Sequence, residues 1–271
     1  MDLQAYLDRI GFQGVARPNL ATLTALHRAH LLSIPYENMD VQLGRPVTTS
    51  PDEAFDKIVT RRRGGWCYEM NGVLGAALDE IGFKVTRLAG GVHRKLRGEE
   101  MVGNHLILLV DLDGEPWIAD VGFGDSSRDP FPLREGSFSA AGYDFRLEKL
   151  DADWWRMHNH ALGAAANFDF GLAPADPAHL AAKCHELQTS PQSNFVLNAV
   201  CQRHTPDAIR LLRGRTLRRV RPGETEDHLI ASADEFVAVL ARDFDLDLPE
   251  AAALWPRICA RHEELFAPTA A

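Results

Sequence analysis

The chain has 271 residues, 45% of them apolar and 25% charged, with a formal net charge of −9. That is ordinary globular composition, long enough to bury a sizeable core as one large domain or as a few small ones. The acidic balance excludes bulk attraction to nucleic acid or to an anionic membrane, and no apolar run approaches the roughly 18 residues of a membrane span.

The first residues, MDLQAYLDRIGF, space Leu3, Tyr6, Leu7 and Ile10 as one face of a helix over 3–10. Asp2 and Asp8 stand where a signal peptide would carry basic charge, so a cytoplasmic location is expected. A second helix is expected over 20–33. Ser50-Pro51-Asp52-Glu53 starts a third, with a serine cap, proline in the first turn and a glutamate three residues on. It ends near Arg62, where Gly64-Gly65 break the chain. A fourth carries Met70, Val73, Leu74, Ala77, Leu78 and Ile81, with Gly82 placed to cap it.

Strand patterns begin at Lys84–Val92 and continue in a hairpin over Asn104–Phe123 with Asp113-Gly114 at its turn. The run His105–Val110 is so continuously apolar that both its faces should be covered. Further strands are expected at 143–148 and 153–157, helices at 172–187 and 192–202, a basic strand over Arg215–Arg221, and helices at 233–242 and 249–265. Seven arginines fall between Arg203 and Arg221. They read as a solvated strand face, with an anion site as the alternative.

The four cysteines, Cys67, Cys184, Cys201 and Cys259, form no Cys-x-x-Cys pair. Neither a disulfide framework nor a metal site is expected, since Cys259 with His262 and Cys184 with His185 are chance spacings. Cys67 differs in its setting, Arg63-Gly-Gly-Trp-Cys67-Tyr-Glu69-Met-Asn71. Two glycines let the backbone turn sharply and place the cysteine in the first turn of a helix, where free N–H groups and the dipole favour a thiolate. A buried small hydrophobe is the competing reading.

The hairpin offers a base. If the turn is two residues, Asp113-Gly114, or four, Ile107 stands opposite Asp120 and His105 shares the face of Ile107, whereas a three-residue loop with a bulge would shift that parity. Asp120 then lies diagonally across from His105. An aspartate on that apolar face needs a partner, and an imidazole is one. A purely structural His–Asp pair fits as well. With Cys67 at a helix start, a Cys–His–Asp relay accounts for more of the sequence.

The chain resembles the arylamine N-acetyltransferases. The resemblance rests on the cysteine segment 63–71, on Ile34-Pro-Tyr-Glu37-Asn38 upstream, and on Asn104-His105 with Ala119-Asp120-Val-Gly122-Phe123-Gly124 downstream. Ser190-Pro191-Gln-Ser193-Asn-Phe195 adds a fourth block in the same order. The resemblance implies an α+β multi-domain fold with a cysteine-protease-like core. A helical bundle (1–83) would carry Cys67, a β-barrel domain (84–190) would carry His105 and Asp120, and an interdomain helix with an α/β lid would fill 191–271.

It also implies acetyl-CoA as donor and an arylamine, hydrazine or arylhydroxylamine as acceptor, with Cys67 as the acetylated nucleophile, His105 as base and Asp120 as its partner. Gly103 and Gly124 would border the cofactor and Phe123 the acceptor. Arg63 and Glu37 would form a supporting ion pair, which answers the question of a counterion for an arginine beside the elbow. Glu69 and Asn71 are expected to anchor the helix start and the neighbouring loop and not to join the chemistry. The Cys67 amide and an amide near Gly103 are the expected oxyanion donors. Where some relatives carry Thr-Gly before the histidine, this chain has Met101-Val102-Gly103-Asn104. An amide-forming synthase of the same family and a Cys–His–Asp hydrolase are the alternatives. Monomer and homodimer are both left open.

Overall fold

The computed structural model describes residues 1–266; the last five positions of the segment expected to span 191–271 lie outside the described residues. Helix α1 (Leu3–Ile10) starts where the Asp2 carboxylate accepts the Ala5 N–H, and α2 (Leu20–Ser33) where Asn19 accepts the Thr22 N–H. After β1 (Tyr36–Glu37) and α3 (Met39–Gln42) comes α4 (Pro51–Phe55), capped by Ser50 and continued by a π turn over Asp56–Thr60. Helix α5 (Cys67–Ile81) ends at a left-handed Gly82, as its sequence requires. Its apolar face buries Met70, Val73, Leu74 and Leu78 against Tyr6, Leu23 and Leu26, and against Leu108, Val110 and Ala119 of the hairpin.

The next segment is a run of strands: β2 (Lys84–Val92), β3 (His105–Leu112), β4 (Glu115–Ala119), β5 (Phe131–Pro132), β6 (Gly136–Ala140), β7 (Tyr143–Lys149), β8 (Trp154–His158) and β9 (Asn167–Pro174). The short helix α6 (Arg94–Arg97) interrupts it after β2. All pair antiparallel in one sheet of order β5-β4-β3-β2-β9-β8-β7-β6. The sheet curls until its two edges meet, Phe131 stacking on Phe138 with ring centroids 5.0 Å apart. Leu108 pairs with Ala119 and Leu109 with Ile118, the register that a two-residue turn requires. Asp113 and Gly114 supply its two positive φ angles.

Two expected helices are corrected. Residues 172–174 finish strand β9, and α7 (Pro177–Thr189) starts only at the Asp176 cap with proline in its first turn. The helix expected over 192–202 shrinks to α8 (Asn194–Leu197), after which the chain extends as β10 (Val200–His204). The spacing of Leu197, Val200 and Cys201 suits a helix, but a distant partner decides otherwise. The Asn38 side-chain oxygen takes the Val200 N–H at 2.8 Å, and β1 pairs with Gln202 and Cys201.

With β11 (Ile209–Arg213), β12 (Thr216–Arg221) and β13 (Glu224–Leu229), β1 and β10 form a second sheet of order β1-β10-β11-β12-β13. Helices α9 (Ala233–Phe244) and α10 (Trp255–Phe266) follow. Among the described residues no helix is long and apolar enough to cross a membrane.

Candidate active site

The elbow before α5 exists because two residues there lack side chains. A Cβ on Gly64 would stand 2.1 Å from the Pro35 carbonyl oxygen, and one on Gly65 2.7 Å from the Cβ of Glu69. The turn delivers Cys67 as the first residue of the helix, 2% exposed. Glu69 closes the helix start by accepting the Trp66 N–H at 3.1 Å. Its charge is met by Lys57, whose Nζ lies 2.9 Å away and also 3.1 Å from Asp40.

Arg63 completes the cluster, 2.7 Å from Glu37 and 3.2 Å from Asp40. All five side chains are buried. Burial works against the Lys57 charge, yet Glu37, Glu69 and Asp40 together raise its pKa. The pairing of Arg63 with Glu37 was legible in the sequence, whereas Lys57 and Asp40 were not singled out.

His105 opens β3 and Asp120 follows β4, so the hairpin register brings them to one face. His105 Nε2 lies 2.8 Å from Asp120 Oδ2. Burial pushes the imidazole pKa down, but the Asp120 carboxylate more than reverses this and lifts it to about 10. Burial likewise raises the Asp120 carboxyl, and His105 outweighs it, with Asn71 and the Gly122 N–H adding to a net lowering. Because Nε2 is committed to Asp120, Nδ1 is left to serve Cys67, which adds to the rise in the imidazole pKa. Cys67 Sγ stands 3.8 Å from the Asn104 carbonyl oxygen.

Asn71 lies one helical turn beyond Cys67, where it ties the helix to the neighbouring segments and also reaches Asp120 of the relay. Its Nδ2 donates to Asp120 Oδ1 at 2.8 Å and to Leu106 O at 2.6 Å, while its Oδ1 accepts the Val121 N–H at 2.9 Å. The four-residue spacing from Cys67 was the signal that could have found it.

Cys67 and His105 open onto a cavity of about 930 Å³, whose wall also includes Tyr36, Phe123, Asp125 and Leu162. The Phe123 ring sits 5.5 Å from that of His105 and 4.8 Å from that of Phe168. Gly103 lies beside the cavity, but its N–H donates to Gly90 O at 2.8 Å and its carbonyl accepts from Tyr68 Oη at 2.6 Å. Its own amide is therefore not free for an oxyanion, and the neighbouring amides of Val102 and Asn104 are taken by the Glu99 and Met101 carbonyls, which counts against that expectation. Gly124 turns at φ +90° and seats against Gln202 of β10.

The arginines between 203 and 221 divide. Arg210, Arg218, Arg219 and Arg221 pair with Asp243, Asp227, Asp207 and Glu224. Arg213 and Arg218 also reach the cavity, joined there by Arg257 and Arg261 of α10.

A family profile described as N-acetyltransferase matches residues 19–253. The chain is 37% identical over 266 residues to the arylamine N-acetyltransferase of Mycolicibacterium smegmatis, covering 93% of this chain and 94% of that one. It belongs to the arylamine N-acetyltransferase family. The likeness to human arylamine N-acetyltransferase 1 is 31% identity, with 92% and 95% of the two chains covered.

Solved members of the family share the fold. The Mycobacterium marinum enzyme in complex with CoA aligns with a TM-score of 0.86 at 32% identity, covering 97% of this chain and 99% of its own. The M. smegmatis enzyme aligns with a TM-score of 0.86 at 35% identity, covering 96% and 98%. The mixed α/β architecture with a curled sheet is thus the family's.

Proposed function

We propose that this family member is an acetyl-CoA-dependent N-acetyltransferase working by a ping-pong mechanism through a thioester on Cys67. The observation that carries the reading is the His105–Asp120 pair at 2.8 Å beside a cysteine at a helix start. With its pKa near 10, the imidazole holds a proton at neutral pH and faces the sulfur as an imidazolium.

In the first half-reaction the Cys67 thiolate attacks the acetyl carbonyl. The bond from that carbon to the CoA sulfur breaks, and the leaving thiolate takes the proton from His105. Free CoA departs, leaving acetyl-Cys67 and a neutral imidazole. In the second, an amine attacks the thioester carbonyl and His105 Nδ1 accepts its proton. The carbon–sulfur bond to Cys67 breaks, the amide leaves, and the thiolate–imidazolium pair is restored. The Cys67 N–H at the helix start is the remaining oxyanion donor from the sequence reading.

The acceptor end of the cavity, walled by Phe123, suits a flat arylamine or hydrazine. The arginine-lined end supports the phosphates of CoA, with Arg213 and Arg257 as the arginines there that have no ion-pair partner among the described residues. The helical part (1–83), the β part (84–190) and the lid (191–271) act in this reading as three domains enclosing one site. Four unpaired cysteines accord with a reducing cytoplasm.

Incubation with acetyl-CoA alone tests the mechanism by intact mass. One acetyl group should appear on Cys67 and be absent from Cys67→Ala. Addition of anilines, hydrazines and arylhydroxylamines should then discharge it. An acetyl group retained after Cys67→Ala would refute the thioester.

A further inference from the structure

Helix α2 buries a histidine that the relay does not use. His27 is 1% exposed and lies against the segment that follows β4. Its Nδ1 stands 2.8 Å from the carbonyl oxygen of Arg128, a group that only accepts. Nδ1 therefore carries the hydrogen and Nε2 is bare. The backbone N–H of Asp120 donates to that bare nitrogen at 3.1 Å. Both bonds require the neutral ring, and burial pushes its pKa down. A protonated ring would turn an N–H toward the Asp120 N–H and break the second bond.

The two atoms gripped are the ends of one segment, 120–128. Between them lie the carboxylate that holds His105, the Phe123 ring, and Gly122, where an added Cβ would stand 2.7 Å from Cys67 Cα. The Arg128 guanidinium reaches on to the Thr205 and Pro206 carbonyls, beyond β10. The Asp120 carboxylate is already fixed at both oxygens, by His105 on one and by Asn71 and Gly122 on the other. Its main chain depends on His27.

We propose that His27 is a positioning residue of acetyl transfer, a neutral imidazole splint between the Asp120 N–H and the Arg128 carbonyl that fixes where the Asp120 carboxylate meets His105. This rests on the relay proposed above. A shift of the carboxylate weakens its hold on His105, whose raised pKa depends on that charge. Relay misplacements of about 1 Å cost on the order of a hundredfold in rate.

Three variants test it. His27→Leu removes both bonds at similar volume. In His27→Gln the amide nitrogen and oxygen sit one atom apart, like the ring nitrogens, and can donate and accept as they do. His27→Asn has the shorter amide, which reaches the Arg128 carbonyl but not the Asp120 N–H.

Acetylation of Cys67 by acetyl-CoA is followed in single turnover across pH, corrected for the folded fraction from thermal melts. In the wild type the rate falls on the alkaline side as His105 loses its proton. In His27→Leu the rate should drop by about ten- to a hundredfold, with the alkaline limb moved to lower pH, while His27→Gln should recover most of both. A folded His27→Leu with the wild-type rate and limb would overturn the inference, leaving His27 a packing residue only. Should His27→Leu not fold, His27→Asn carries the same two outcomes. Wild-type enzyme that takes no acetyl group would instead refute the relay itself.

Discussion

Asp120 and His105 each keep a charge that burial alone would remove, and each does so because of the other. Asp120→Asn preserves the shape of that contact and deletes the charge. Burial of His105 then acts unopposed by Asp120, so its pKa falls from about 10. The expected result is a loss of at least about a hundredfold in Cys67 acetylation, with the alkaline limb of the pH–rate curve moved downward. An unchanged limb would mean that Asp120 does not set the protonation of His105. Gly64 is a second single-residue constraint, this time steric. The Pro35 oxygen that a new Cβ would meet at 2.1 Å also accepts the Gly65 N–H, so it cannot swing aside freely. Gly64→Ala should cost about 1–3 kcal/mol in urea denaturation, and a neutral result would show that the elbow can relax.

At the scale of elements, the nucleophile helix and the hairpin were legible because their signals are local. Ser50-Pro51 starts a helix, Gly82 ends one, and Asp113-Gly114 suggests a two-residue turn whose register, as the strands pair, puts His105 and Asp120 on one face. Apart from β12, expected as a basic strand, the second sheet was hidden because its partners are distant. Strand β13 is exposed throughout and has no apolar alternation to read, and β10 is extended by Asn38 and β1 from the other end of the chain. The buried charges under α5 were half visible for the same reason. Arg63 and Glu37 lie in recognisable blocks, but Lys57 sits in a π turn whose burial no local pattern announces. Lys57 is placed 2.9 Å from Glu69, 3.1 Å from Asp40 and 3.9 Å from Glu37. Lys57→Met would leave these carboxylates with Arg63 as the remaining buried cation, a loss expected to cost about 3–5 kcal/mol. Chemical denaturation measures it, and a cost under about 1 kcal/mol would place the stabilising role elsewhere.

For the molecule as a whole, its histidines set the dependence of stability on pH, and they pull in two directions. Unfolded imidazoles take up protons near pH 6.5. His27, His30, His160 and His204 are all lowered in the fold by burial, His204 to about 3. As the pH falls below 6.5 the unfolded chain therefore binds protons that the folded chain refuses, and stability drops. Asp125, Glu69 and Asp79 oppose this on the acid side, because burial raises all three, Asp125 to about 6, and lets the fold take up protons first. Four imidazoles against three carboxylates leave a net acid loss, steepened below pH 4 as Asp120 and Asp40, both held below their usual range, are protonated. His105 works the other way. Its pKa of about 10 means that the folded chain keeps a proton that the unfolded chain has lost, a stabilisation complete below 6.5 and gone once the pH passes 10. The two limbs meet near neutrality, so the melting temperature should peak at about pH 6.5–7. Asp120→Asn should flatten the alkaline limb and leave the decline between pH 6.5 and 4 in place. A melting profile that climbs steadily toward pH 9, or one whose alkaline limb ignores Asp120→Asn, would show that the buried imidazoles do not govern the stability of this fold.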